Sequence, residues 1–150
     1  MMPSLLAAAL LAAQPAAPPP PSQLGEIRMH LFYEATGRLS RDISPPNDFS
    51  GWNTIIGEGS AEEYADDLVV VVEVRTSGHH FLETPLRIVA RGRNNRIIAQ
   101  RRFATTLTSG AGRAYRALWL NDVGCEGRVV VTASYGSQSR SETLSLDCGE

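Results

Sequence analysis

CEGRVVVTASYGSQSRSETLSLDC, residues 125–148, holds both cysteines of the chain and reads as one β-hairpin. Apolar and polar residues alternate from Gly127 to Tyr135, Gly136-Ser137 supplies a two-residue turn, and a second alternating run passes through Leu144 and Leu146. Such a turn sets Tyr135 opposite Gln138, so paired positions sum to 273. Val129 then faces Leu144, Gly127 faces Leu146, and Cys125 faces Cys148. This register predicts a Cys125–Cys148 disulfide, and a disulfide implies an oxidising compartment. The same count puts the cysteines at a hydrogen-bonded pair, the wider site of an antiparallel ladder. A bulge near Gly124 or Gly127, or a strained bond, is therefore expected.

Working outward from the hairpin, strand signals recur at short spacing. Ile27, Met29, Leu31 and Tyr33 alternate against Arg28, His30 and Glu34 over residues 25–35. Residues 68–75, LVVVVEVR, are almost wholly β-branched and read as a central strand. Residues 85–93 and 96–103 flank Asn94-Asn95, a dipeptide that tolerates positive φ and suits a tight turn. Residues 113–120 alternate again. With almost no helical periodicity, these runs predict an antiparallel β-sandwich.

From Leu118 onward, LWLNDVGCEGRVVVTASYGSQSRSETLSLDCG gives a strand, an Asp-x-Gly corner at Asp122 and Gly124, a valine strand, a short turn and a final strand. This pattern resembles the closing strands of immunoglobulin-like and macroglobulin-like sandwich modules. The resemblance implies an all-β, antiparallel immunoglobulin-like β-sandwich of about seven strands, here over residues 25–150. It departs from the antibody pattern because both cysteines lie in one hairpin, leaving no bridge to span two sheets beside a tryptophan. Modules of this kind host adhesion, chaperone, inhibitor and structural roles, so the fold implies no activity.

Between Thr36 and Asp67 the alternation stops for longer than loops in compact domains usually run. Pro45-Pro46, Gly51, Gly57 and Gly59 punctuate this excursion, while Phe49, Trp52, Ile55, Ile56 and Tyr64 are too apolar to be left in water. Ser60 to Glu63 has the form of a capping box, which predicts one helical turn over residues 61–66. Val69 and Val71, on the outer face of the central strand, need cover. The excursion is expected to be that lid; alternatively, Val69 and Val71 join Trp52 in a partner-binding surface.

Residues 5–13 form a Leu/Ala stretch too short to span a bilayer but suited to a signal-peptide core, and a proline-rich run follows. Residues 1–24 are thus expected to be a signal-like segment and spacer, and the protein to be exported, periplasmic or extracellular, with no transmembrane span. An apolar fraction of 43% with 20% charged residues is ordinary for a globular domain, and a net charge of -2 argues against nucleic acid as partner.

Charge is unevenly placed. The chain has fourteen arginines and no lysine; eight arginines lie between Arg87 and Arg116 without one acid, whereas residues 42–83 carry nine acids and one arginine. If Asn94-Asn95 is the turn, paired positions sum to 189. Leu86 then faces Phe103 and Ala90 faces Ala99 on the inner side. On the outer side Arg87 faces Arg102, Arg93 faces Arg96, and Arg91 lies beside them. Like charges across a ladder destabilise, so compensation is expected. It comes from an anionic ligand gripped by guanidinium forks, from within, through Glu58, Glu62, Glu63, Asp66 and Asp67 lying over this face, or simply from solvation of the arginines.

Catalytic signals are weak. His79-His80 with His30 offers no metal-ligand spacing, and residues 58–67 lack the spacing of a calcium loop. No Gly-x-Ser-x-Gly occurs, and a chain without lysine cannot carry a Gly-x-x-x-x-Gly-Lys phosphate loop. Neither cofactor nor metal is expected. The sequence reads as a non-catalytic envelope module that contacts an anionic polymer or acidic partner through Arg87, Arg91, Arg93, Arg96 and Arg102, or an envelope protein through Trp52 and Tyr64. A purely structural domain and, further off, a hydrolase are the alternatives.

Overall fold

Alternation of side chains along a strand gives each sheet one apolar face, and the only way to dry two such faces is to press them together. The structure, a computed structural model, describes residues 21–149, so the signal-like segment and most of the spacer expected over residues 1–24 lie outside the described residues. Ten strands follow in order: β1 (Gln23–Tyr33), β2 (Arg38–Leu39), β3 (Asp67–Arg75), β4 (Phe81–Leu82), β5 (Leu86–Arg91), β6 (Ile97–Phe103), β7 (Thr106–Leu107), β8 (Arg113–Leu120), β9 (Gly127–Tyr135) and β10 (Gln138–Leu146). The seven long ones are the seven read from the sequence. One sheet has the order β2-β1-β3-β8, the other β10-β9-β5-β6, and β4 pairs with β7 where the chain crosses between layers. Every ladder is antiparallel. This is an immunoglobulin-like β-sandwich.

The core lies between the layers. Met29 and Leu31 of β1 and Leu68, Val70 and Val72 of β3 face Leu86 and Ile88 of β5, Val129 and Val131 of β9 and Leu146 of β10. Two tyrosines are fully buried, each with its hydroxyl satisfied: Tyr33 accepts from the Glu62 amide, and Tyr135 bonds the Ser22 hydroxyl. The β9–β10 ladder keeps the two-residue-turn register without a shift from Tyr135–Gln138 to Gly127–Leu146. Cys125 and Cys148 form a disulfide with a Cα–Cα distance of 5.0 Å. The expected bulge is not in the ladder. The chain leaves the ladder at Gly127, where φ is 78°, so the cysteines pair just beyond its last rung.

The excursion departs from expectation in two ways. No helical turn forms over residues 61–66, because the capping-box groups are engaged elsewhere: the Ser60 hydroxyl accepts from the Ser50 amide, and Glu63 bonds Arg38 and Thr36. The short helical turn is instead a 3-10 turn at Thr54–Ile56. Nor does the excursion lie over Val69. It first follows β1, with the Ile43 amide bonding Met29 carbonyl, then crosses to β10, where Asn53 and Gly51 bond both sides of the Asp147 backbone. It therefore seals the side of the sandwich between β1 and β10 and covers two edge strands. Val69 is 6% exposed because its ladder neighbours His30 and Trp119 flank it, and Trp119 also meets Phe32 edge-on at 4.8 Å.

The opposite side, between β6 and β8, is closed by arginine stems: Arg101 and Arg116 place their guanidinium groups 4.6 and 5.1 Å from the Phe103 ring centroid. On the outer face of β3, Glu73 is 1% exposed. The β1 register slips between Leu24 and Ile27, and Gly25 there lies so close that a Cβ would come within 2.6 Å of the Glu73 carboxylate. Burial alone would push the Glu73 carboxyl up. The Arg75 hydrogen bond, with the charges of Arg75 and Arg113, outweighs it and holds the group below the usual carboxylate range. No helix among the described residues is long and apolar enough to cross a membrane.

Because the folded carboxyl titrates below the unfolded one, Glu73 stabilises the fold above the ordinary carboxylate range, and that contribution is lost as pH falls through the folded value. Glu73→Gln is therefore expected to cost about 2 kcal/mol at neutral pH and progressively less as pH falls below the ordinary carboxylate range, read from urea midpoints across an acid pH series. Replacing both cysteines by serine should cost roughly 3 kcal/mol, the chain-entropy value for a loop of this length, with the same loss on adding reductant to the unmodified protein.

Candidate functional site

The β5–β6 turn brings the arginine-rich sequence to a point. Pairs from Leu86–Phe103 to Ala90–Ala99 keep the expected register, and Arg87 does face Arg102. A bulge between Ala90 and Arg91 then shifts it, Gly92 and Arg96 close the turn, and Asn94 and Asn95 both take positive φ. Arg93 consequently sits inside the turn rather than opposite Arg96. The extra residue is what lets the turn curl toward the β8–β9 corner.

Glu126, from that corner, enters the turn. It accepts from the Arg93 amide at 2.8 Å and from Arg96 through both carboxylate oxygens at 3.1 and 3.0 Å. Gly92 is required for this approach, since a Cβ there would fall 2.0 Å from Glu126 Oε1. The Arg93 guanidinium reaches the Cys125 carbonyl, which ties the turn to the disulfide. Around these groups lies a cleft of about 420 Å³, whose charged lining is Arg91, Arg93, Glu126 and Arg128. Arg128 makes no hydrogen bond or ion pair among the described residues, and Arg91 is held only by the Asn95 carbonyl. With Arg96, four guanidinium groups meet one carboxylate. Guanidinium forks in general suit oxyanions through charge-assisted hydrogen bonds.

The internal neutralisation expected from the excursion does not occur. Glu63 pairs with Arg38, whose hydrogen bond holds that carboxyl below its usual range, and Glu62 lies beside the same arginine. Asp66 and Asp67 accept the Gly124 and Asp122 amides at the β8–β9 corner, and Glu58 bonds Asn53. None of the five acids bonds the arginines of the β5–β6 turn, although Asp66 and Asp67 sit at the same corner that supplies Glu126. Arg87 is instead met by Gln100, and with Arg102 it stands on the same sheet face but outside the cleft.

Of the residues read from sequence, the structure thus gathers Arg91, Arg93 and Arg96 and separates Arg87 and Arg102 from them. Arg128 and Glu126 were not foreseen. Their outward position in the hairpin is legible from the alternation, but the neighbour of β9 is not. Trp52 and Tyr64 are 49% and 47% exposed. Trp52 lines a second cleft of about 460 Å³ beside β10, and Tyr64 is not part of its wall. Among the described residues no group of three or more His, Cys, Asp or Glu is placed to hold a metal ion.

No protein-family model and no curated protein sequence matches the chain. Among solved structures it is similar to Bifidobacterium dentium β-glucuronidase complexed with coumarin-3-O-glucuronide, at 12% identity and TM-score 0.42, over 85% of this chain and 18% of that one. It is also similar to the C-terminal domain of wzt, at 8% identity and TM-score 0.42, over 86% and 74% of the two chains. A third likeness is to β-glucosidase 3B of Thermotoga neapolitana, at 11% identity and TM-score 0.38, over 55% and 14%. The chain spans less than a fifth of either glycosidase. All three are likenesses of β-rich domains.

Glu126 is the group on which the turn's shape depends. Glu126→Gln is expected to release the Arg93 amide to faster hydrogen exchange, because that N–H loses a charged acceptor, while the amides of β9 exchange as before.

Proposed function

We propose that this protein is an exported, non-catalytic binding module of the cell envelope that takes an anionic partner at the cleft formed by Arg91, Arg93 and Arg128. The observation that carries this reading is the charge imbalance at the β5–β6 turn: among the described residues the only carboxylate lining the cleft, Glu126, is already bonded to Arg96 and to the Arg93 amide. The remaining guanidinium donors face a concave, solvent-filled space, where an oxyanion would supply the missing acceptors. Export is supported by the disulfide and by the signal-like residues 5–13. One domain over residues 25–150 then acts outside the cytoplasm.

The test is retention on immobilised polyphosphate and on a sulfonate matrix under a salt gradient. The unmodified protein should bind at low salt and elute steeply as salt rises. The double variant Arg91→Gln/Arg128→Gln should bind at least tenfold more weakly, since hydrogen bonds to charged groups contribute about 1.5–3 kcal/mol each. Arg87→Gln/Arg102→Gln should stay close to the unmodified protein. Equal elution of the two double variants would leave a purely structural domain as the better reading.

A further inference from the structure

We infer that the arginine cleft continues across β9 and β10 to Trp52, and that the joined surface binds an acidic polysaccharide; this rests on the anion-binding reading above. The sheet order makes the two clefts neighbours. Arg91 is paired with Val130, and Val130 with Thr143; Arg128 is paired with Ser145. Val130 and Arg128 line the arginine cleft, while Thr143 and Ser145 line the Trp52 cleft. Two rows of outward side chains therefore run without interruption from one cleft to the other.

Trp52 is held at the far end by backbone alone. It forms a parallel bridge with Asp147, flanked by hydrogen bonds from the Asn53 amide to the Asp147 carbonyl and from the Asp147 amide to the Gly51 carbonyl. Its indole lies along Gly149, where a Cβ would fall 2.6 Å from the ring, and half of the residue remains exposed. Trp52 thus stands one strand beyond β10. From there to β5 is three strand spacings, about 14 Å, room for several sugar rings in an extended chain.

The chemistry between the two ends selects the occupant. The outer positions of β10 are Ser139, Ser141, Thr143 and Ser145, with Thr132 and Ser134 beside them on β9. With Val130 between them, these short hydroxyls make a largely polar floor, suited to exchanging hydrogen bonds with sugar hydroxyls. Ile43, Pro45, Phe49 and Leu144 also line the Trp52 cleft, so apolar and hydroxyl groups share its wall. An indole face beside such a floor offers a platform for the C–H face of a pyranose, and the guanidinium groups at the other end take its acidic substituents. Among the described residues the one carboxylate lining the Trp52 cleft is Asp147, which can accept from sugar hydroxyls.

Binding of the purified protein to polygalacturonate, neutral dextran, inorganic polyphosphate and polyglutamate separates the readings. Polygalacturonate should bind at least tenfold more tightly than polyglutamate, and dextran weakly or not at all. Trp52→Ala should weaken polygalacturonate at least fivefold and leave polyphosphate unchanged, whereas Arg91→Gln/Arg128→Gln should weaken both. Ser145→Glu, an exposed change that puts a negative charge between the clefts, should weaken polygalacturonate without altering the thermal midpoint. If Trp52→Ala and Ser145→Glu bind polygalacturonate like the unmodified protein, or polyglutamate binds as well as the polyuronate, the polysaccharide assignment is overturned while the anion site stands. If neither polyphosphate nor polygalacturonate binds, both readings fall.

Discussion

Two sheets that bury their apolar faces against each other still have two open sides, and water entering there would undo the burial. The rest of this molecule follows from how those sides are shut. Between β1 and β10 the gap is filled by the excursion, whose Ile43, Thr54 and Ala65 are buried and whose backbone bonds both edge strands. Between β6 and β8 it is filled by Phe103 clasped between Arg101 and Arg116. Sealing the first side sets Trp52 beside β10, and sealing the second uses two arginines whose strand positions lie on the core side, opposite Ile88 and Val72. The surface proposed to bind is thus a by-product of closing the sandwich.

Charge placement obeys the same economy. Acids of the excursion are held by local tasks: Asp66 and Asp67 anchor the β8–β9 corner, and Glu63 answers Arg38. Glu73 is buried and draws Arg75 and Arg113 to it. Once these pairs are made, little negative charge is left for the β5–β6 turn except Glu126. The positive potential there is a residue of the other pairings, and a chain whose net charge is only -2 can still present a strongly cationic cleft.

Much of this was legible without coordinates, for reasons that can be stated. The β9–β10 hairpin is local, its turn fixes its register, and period-two alternation fixes which residues face inward, so Val129–Leu144 and the Cys125–Cys148 bridge follow from counting. The β5–β6 hairpin was legible only as far as Ala90–Ala99, because a bulge at Arg91 leaves no mark in composition. Local signals misled where tertiary partners outbid them: Ser60 and Glu63 have the form of a helix cap, yet Ser50 and Arg38 claim them. Val69 did need cover, but Trp119 and His30 give it from neighbouring strands whose adjacency no local pattern reveals, while Val71 stays half-buried between Arg28 and Ala117.

By itself the sequence determined the strands, the inward stripe of each, the disulfide and the concentration of arginine between residues 87 and 116, since each depends on near neighbours or on simple periodicity. Only the tertiary structure decided that β9 lies beside β5, that Glu126 enters the β5–β6 turn, and that Trp52 flanks β10. Those are contacts between residues tens of positions apart, chosen by which edges must be covered and which charges must be met. That is why Arg128 joins the cleft and Arg87 and Arg102 do not.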